Sequence, residues 1–223
     1  KVSDFPVQSW MIQFTAQYHF ELYRSRWNWE TGFGNFNTVN QAEEIRDHNF
    51  RAIYGNWAYL KTYEQEKFKN HELVYLSNIA GKRESYRLLG DIILTQQDIE
   101  NQTNYPDAIV TATWGVDLHY PDSVNSHYFP QNEFIARAEH VGKQNTVYSF
   151  PYRCLYSRNI NNLFMAGRNI SVTHVALGAI RVQRCTGMMG EVVGIASYIC
   201  KKHNCSPRDL YLHHWNEMIQ IVE

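Results

Sequence analysis

Gly187, Gly190 and Gly194 recur three and four residues apart inside the run CTGMMGEVVGIASYICKKH, and this spacing constrains the C-terminal third of the chain more than any other feature. Residues at that separation share one helix face, so the glycines form a bare stripe on a helix predicted from about Cys185 to His203. A glycine in a helix interior is less favourable than alanine by about 1 kcal/mol, and the stripe therefore calls for an offset, the close approach of a strand or of a flat ligand. Lys201, Lys202 and His203 follow at the C-terminal end, where the helix dipole favours cations. The other end, near Cys185 and Thr186, offers free N–H groups and partial positive charge. Upstream, Leu163, Phe164 and Met165 form an apolar run that stops at Ala166 and Gly167, the pattern of a buried strand delivering backbone into a glycine turn.

The rest of the composition excludes several classes. The 223 residues carry a formal net charge of -1, and no basic cluster exceeds a pair, which argues against a nucleic-acid partner. No apolar run reaches the roughly 20 residues of a membrane span, so the chain reads as soluble, with its compartment undetermined. Hydrophobic residues make up 44% of the chain, enough for one large core or two smaller ones. The four cysteines form no C-x-x-C pair and the ten histidines fall in no ligand spacing, so no metal site is expected. Fifteen tyrosines suit either amphipathic core and interface or stacking on a sugar or flavin.

Along the chain, loose alternation from Val7 to Trp29 predicts one or two antiparallel strands. Thr38 and Gln41 fit a capping box, and Val39, Ala42, Ile45, Ala52, Ile53, Trp57 and Leu60 keep a helical period to about Tyr63. The segments FIARAEHV and TVYSFPYRCLY suggest a hairpin turning at residues 142–145. Ser206, Pro207 and Asp209 read as N-cap, first-turn proline and first-turn acid of the last helical segment.

Two polar constellations stand out. Arg83, Glu84, Ser85 and Arg87 occupy four of five positions before the strand-like run Leu88 to Leu94, and spacing alone favours a solvated turn there. His119 sits where a strand ending at Leu118 would place it at the tip. It is either a loop histidine bonded to backbone or a group able to move a proton near neutral pH.

The strings AGRNIS, HVALGAIRVQ and GMMGEVVGIA, with GKRESYRLLGDIILTQQDI and TWGVDLHYP upstream in the same order, resemble the C-terminal signature of FAD-dependent oxidoreductases, over about Trp29 to Leu210. That family opens with a dinucleotide fold carrying G-x-G-x-x-G. This sequence lacks it, and Gly32 and Gly34 belong to a string without the third glycine. The resemblance implies the C-terminal portion of a larger flavoprotein of mixed α/β class. Residues 1–150 would form a mixed α+β substrate domain, and residues 151–223 the last strand and helix of a Rossmann-like FAD-binding domain.

The implied cofactor is FAD, bound by Ala166, Gly167, Arg168, Ser171, Thr186, Gly187 and Gly190. The backbone at Thr186 and Gly187 would stabilise the negative charge that a flavin gains at N1 and O2 on reduction. Arg83 becomes a candidate anion clamp and His119 a proton carrier. A more distant similarity to fumarate reductase flavoproteins adds Arg181 and His174 on the substrate side. The implied reaction is hydride transfer between flavin and a small organic substrate. The implied partner is the missing N-terminal part of the same protein or another chain, because the apolar faces of Leu163–Met165 and Val192–Ile199 would otherwise be exposed. Two rivals need no flavin: a non-catalytic carbohydrate or protein binding module, and a hydrolase or lyase built on His119 and an arginine. Neither requires the glycine-striped helix.

Overall fold

A computed structural model describes residues 4–14, 31–33, 37–79, 81, 86–121, 133–141 and 146–222. In chain order the described elements are β1 (Thr31–Phe33), α1 (Ala42–Tyr63), α2 (Gln65–Phe68), α3 (Gln96–Glu100), β2 (Ala108–Ala112), β3 (Val116–Pro121), β4 (Glu133–Val141) and β5 (Tyr148–Pro151). A 3-10 turn over Tyr152–Cys154 leads to α4 (His174–Ile180), α5 (Gln183–His203), α6 (Pro207–His213) and α7 (Trp215–Val222). Helices combined with small antiparallel sheets place the protein in the mixed α/β class. One sheet has the order β1-β4-β3 and the other pairs β2 with β5.

The chain divides into two compact units, Lys1–Lys82 with His119–Ala138, and Arg83–Leu118 with Glu139–Glu223. In the first, α1 buries Ala52, Trp57, Tyr59 and Leu60 against Ile12, Phe14 and Phe68. The expected capping box at Thr38 and Gln41 does not form. Asn37 takes the cap instead, its Oδ1 accepting from the N–H groups of Val39 and Asn40 at 2.9 and 3.0 Å while Gln41 Oε1 accepts from Asn37 N–H at 2.8 Å. The asparagine carbonyl reaches these donors within the turn that precedes the helix, which itself starts at Ala42. Ile53 lies on the exposed side of α1 rather than in its apolar stripe. No strand appears in residues 4–14, and residues 15–30 lie outside the description.

In the second unit the predicted hairpin is replaced by a different pairing. β5 lies antiparallel to β2, with Val110 opposite Phe150 and Ala112 opposite Tyr148. The period-2 pattern explains this: Val110, Ala112, Tyr148 and Phe150 are all buried, while Thr111 and Ser149 meet on the other face, Oγ to Oγ at 3.1 Å. α5 packs over β2 and beside α6 and α7, burying Cys185, Met189, Val192, Ala196 and Ile199. Most of the apolar face expected to be exposed over Val192–Ile199 is therefore core, and only Tyr198 on this stretch is a large exposed hydrophobic. Local chemistry sets the helix ends. Ser206 and Asp209 form a reciprocal capping box with Pro207 in the first turn of α6, as the sequence predicts, and Asn204 ends α5 in the left-handed conformation.

Three glycines carry close backbone approaches, and in the first unit Gly55 of α1 leaves no room for a Cβ against the Ile12 carbonyl oxygen. A Cβ on Gly178 in α4 would lie 2.4 Å from the Asp117 carbonyl oxygen, and one on Gly90 would lie 2.6 Å from that of Arg153. Next to Gly90, Asp91 accepts from Tyr156 Oη at 2.7 Å and from Arg208 Nε at 2.8 Å. The Arg208 hydrogen bonds hold the Asp91 carboxyl below the ordinary carboxylate range. A lowered folded-state pKa gives stability that is complete above the unfolded value, near about pH 3.9, and is lost as pH falls through the folded value. Melting temperature measured from pH 7 down to pH 2 should therefore fall less steeply below about pH 4 for Asp91→Asn than for the parent. Parallel curves would remove Asp91 from the acid response.

Candidate functional site

The site grows from the loop that joins the Tyr152–Cys154 turn to α4. Tyr156 and Phe164 form an isolated antiparallel bridge, continued by Ser157 N–H to Leu163 O at 3.0 Å and Met165 N–H to Leu155 O at 2.8 Å. The expected strand at Leu163–Met165 is thus one bridge, and its side chains are half-buried rather than exposed. The chain then turns at Gly167, whose φ of 106° is strained for any residue with a Cβ. Gly167 N–H points to Met189 Sδ on α5 at 3.2 Å. Asn169 O accepts from Leu88 N–H at 2.7 Å, Ser171 O from Leu94 N–H at 3.1 Å and Leu94 O from Thr173 N–H at 2.9 Å. These bonds fasten residues 88–94 along the loop, where the expected strand is a bent segment with one bridge, Leu94 to Val172.

Tyr86, Ala166, Gly167, Arg168, Asn169 and Thr186 line a cleft of about 370 Å³. Four of the residues singled out in the sequence, Ala166, Gly167, Arg168 and Thr186, therefore meet at one place. Tyr86 and Asn169 were not singled out. Tyr86 directly follows the Arg83-Glu84-Ser85 motif, and that adjacency is the sequence signal for it. The motif itself, Arg83 included, lies outside the described residues.

Among the described residues that line the cleft, Arg168 carries the one formal charge. Thr186 belongs to the first turn of α5, whose N-cap Val182 supplies no side-chain bond, and Thr186 Oγ1 donates to Gln183 O at 2.9 Å. The positive pole of a 21-residue helix with no acid in its first turn therefore opens beside the cleft. Past Thr186, of the two offsets expected for the stripe, a strand is not present among the described residues: a Cβ at Gly187, Gly190 or Gly194 would meet none of them within 4 Å.

The remaining predicted residues are dispersed. Ser171 is fully buried, its Oγ without a hydrogen-bond partner among the described residues, and it does not line the cleft. His174 is exposed at the start of α4. Arg181 ends that helix half-buried and donates from Nη2 to Asp117 O at 3.3 Å, tying α4 to the start of β3. His119 is exposed within β3, not at its tip, and belongs to the first unit. Burial pushes the thiol of Cys185 up and that of Cys200 up to about 12, so neither is a ready nucleophile.

The family model described as FAD dependent oxidoreductase matches residues 2–219. The chain belongs to the FAD-dependent oxidoreductase family. Searches of curated proteins and of solved structures gave no match. Membership makes the protein a flavin oxidoreductase with FAD as its cofactor. The cleft suits the flavin end of that cofactor on three counts. Its volume lies at the low end of the roughly 300–1,000 Å³ of small-molecule sites, its described wall is polar and includes Arg168, and the adjoining helix face is bare backbone that a Cβ would cover. Among the described residues, no helix of this FAD-dependent oxidoreductase is long and apolar enough to cross a membrane.

Proposed function

We propose that this chain is the C-terminal portion of an FAD-dependent oxidoreductase, holding the flavin end of the cofactor during hydride exchange with a small organic substrate. The observation that carries the reading is the convergence of Ala166, Gly167, Arg168 and Thr186 on the cleft bordered by Tyr86. Flavin, when bound, supplies the hydride chemistry. The chain's own residues do the rest. The turn at Gly167 admits the cofactor without an intruding side chain, and the start of α5 with Arg168 balances negative charge at the pyrimidine edge. Gly187 and Gly190 present a face without side chains to a planar ring, and Thr186 borders it. Ser171 supports the loop from beneath, through its backbone bonds to Cys154 and Leu94.

On the substrate side the reading retains Arg83 as an anion clamp, His119 as a proton carrier, and His174 and Arg181 as polar groups at the two ends of α4. A bidentate arginine suits a carboxylate substrate, and a histidine moves a proton near neutral pH. The G-x-G-x-x-G turn that normally cradles the pyrophosphate is not among the 223 residues. The adenosine half of FAD should therefore gain little from this chain.

The test follows from that asymmetry. Titrating the 223-residue chain with FAD and with FMN, read by flavin fluorescence, should give weak binding of both, with affinities within about threefold of each other, a difference below 1 kcal/mol. Binding of FAD at least about 100-fold tighter than FMN would mean a complete dinucleotide site, and no binding of either would remove the flavin role from this cleft.

A further inference from the structure

The C-terminal helices bring together a group of side chains that the flavin reading does not use. His203 lies in the last turn of α5, His214 at the junction of α6 and α7, and Glu217 in the first turn of α7. One ring nitrogen of each histidine and a carboxylate oxygen of Glu217 all lie within 4.8 Å of one another. The two imidazoles stack with centroids 4.0 Å apart and planes 14° from parallel, and His203 Nε2 lies 2.7 Å from Glu217 Oε2. Lys202 Nζ donates to the other carboxylate oxygen, Oε1, at 2.8 Å, which fixes the carboxylate with Oε2 toward the histidines.

We propose that His203, His214 and Glu217 form a binding site for a divalent transition-metal ion of the zinc type, clamping the end of α5 to the start of α7. Imidazole nitrogen and carboxylate oxygen are ordinary zinc donors, with ligand bonds near 2.0–2.2 Å, so a tetrahedral ion separates its donors by about 3.3 Å. The pair at 2.7 Å needs to open by only a few tenths of an ångström. The third donor needs to close by up to about 1.5 Å, which imidazole rotation supplies. The backbone beneath is held: Asn204 caps α5, His214 N–H bonds to Leu210 O at 2.8 Å, and Glu217 N–H bonds to His214 O at 3.1 Å. Three protein ligands leave the fourth position to water. Lys202 then plays the outer-shell part, hydrogen-bonding the ligating carboxylate and keeping it ionised. Harder ions prefer all-oxygen sets, so magnesium is not the ion for this site.

The cluster escapes a search for ligand spacing because His203 and His214 come from different helices and are brought together by the reversal of the chain between them. Zinc titration of the 223-residue chain against a chromophoric chelator tests the site. The expected result is one competing site with a dissociation constant in the micromolar range or tighter, a zinc-dependent rise in melting temperature, and no rise with magnesium at the same concentration. His214→Ala and Glu217→Gln should each weaken zinc binding by at least about tenfold, and Glu217→Gln, nearly isosteric, keeps the comparison valid if His214→Ala fails to fold. No competition with the chelator, or unchanged affinity in both His214→Ala and Glu217→Gln, would overturn the proposal, the latter by assigning the ion to other residues.

Discussion

Arg153→Met should destabilise the protein by about 3–5 kcal/mol, and Asp107→Ala by less, about 2 kcal/mol. Asp107 stands immediately before β2 and is completely buried, while the Arg153 side chain keeps 21% of its surface exposed. The carboxylate accepts from Arg153 Nε at 2.9 Å, from Nη2 at 2.8 Å and from the Arg153 backbone N–H at 3.0 Å. These hydrogen bonds hold the Arg153 guanidinium above its ordinary pKa, and the same guanidinium lies 5.0 Å from the Tyr211 ring centroid. Breaking a buried ion pair is severe chiefly because one charge is left without compensation, and the two partners differ in how well water can reach them. Removing Arg153 strands a carboxylate with no solvent access and one backbone donor. Removing Asp107 strands a guanidinium that can still hydrate. The double variant Asp107→Leu with Arg153→Met should recover part of the loss, since no charge remains buried. Urea midpoints at constant m-value measure all three, and equal losses for the two single variants, or losses below about 1 kcal/mol, would contradict this account.

The ion pair also shows where the sequence stops being informative. Asp107 and Arg153 are 46 residues apart and meet only because β2 and β5 pair, a partnership that the alternating pattern permits without specifying. By contrast, Ser206, Pro207 and Asp209 act within one turn, and their cap forms as the sequence predicts. Four of the six described residues of the candidate cleft were legible for the same reason: Ala166, Gly167 and Arg168 are contiguous, and Thr186 follows from the helix start. Tyr86 and Asn169 are sequence neighbours of quoted motifs, but what brings the two segments together, the Leu88–Asn169 backbone bond, is a tertiary contact without local signature.

Glycine spacing was readable as well, but not its mechanical meaning. The residues that allow close approach within the chain are Gly55, Gly90 and Gly178, isolated glycines with no periodicity, because such an approach needs one missing Cβ at one crossing point. A stripe is required only where something long or flat lies along a helix. His203, His214 and Glu217 make the complementary point. Their proximity depends on the angle between α5 and α7, which is set by the Ser206 cap and the left-handed Asn204, features readable one by one but not as a sum.

The stripe gives a prediction in which stability and binding move in opposite directions. Gly187 and Gly190 are exposed on α5, and a Cβ at either meets nothing within 4 Å. Replacing either by leucine removes the backbone entropy penalty of glycine and should stabilise the helix by roughly 0.5–1 kcal/mol, with no clash inside the chain to offset it. In the flavin complex the same side chain would occupy the surface proposed to face the ring, and overpacking of about 1–3 kcal/mol there corresponds to roughly a 5- to 150-fold loss of flavin affinity. An ordinary structural glycine would show the opposite pairing, with stability lost and binding affected only through unfolding. Gly187→Leu and Gly190→Leu are therefore expected to melt at or above the parent temperature while losing flavin, measured by thermal unfolding without ligand and by flavin titration of the same samples. Variants that melt higher and bind flavin as the parent does would show that the ring does not lie on this face. Variants that melt lower would show that the stripe is packed within the protein after all.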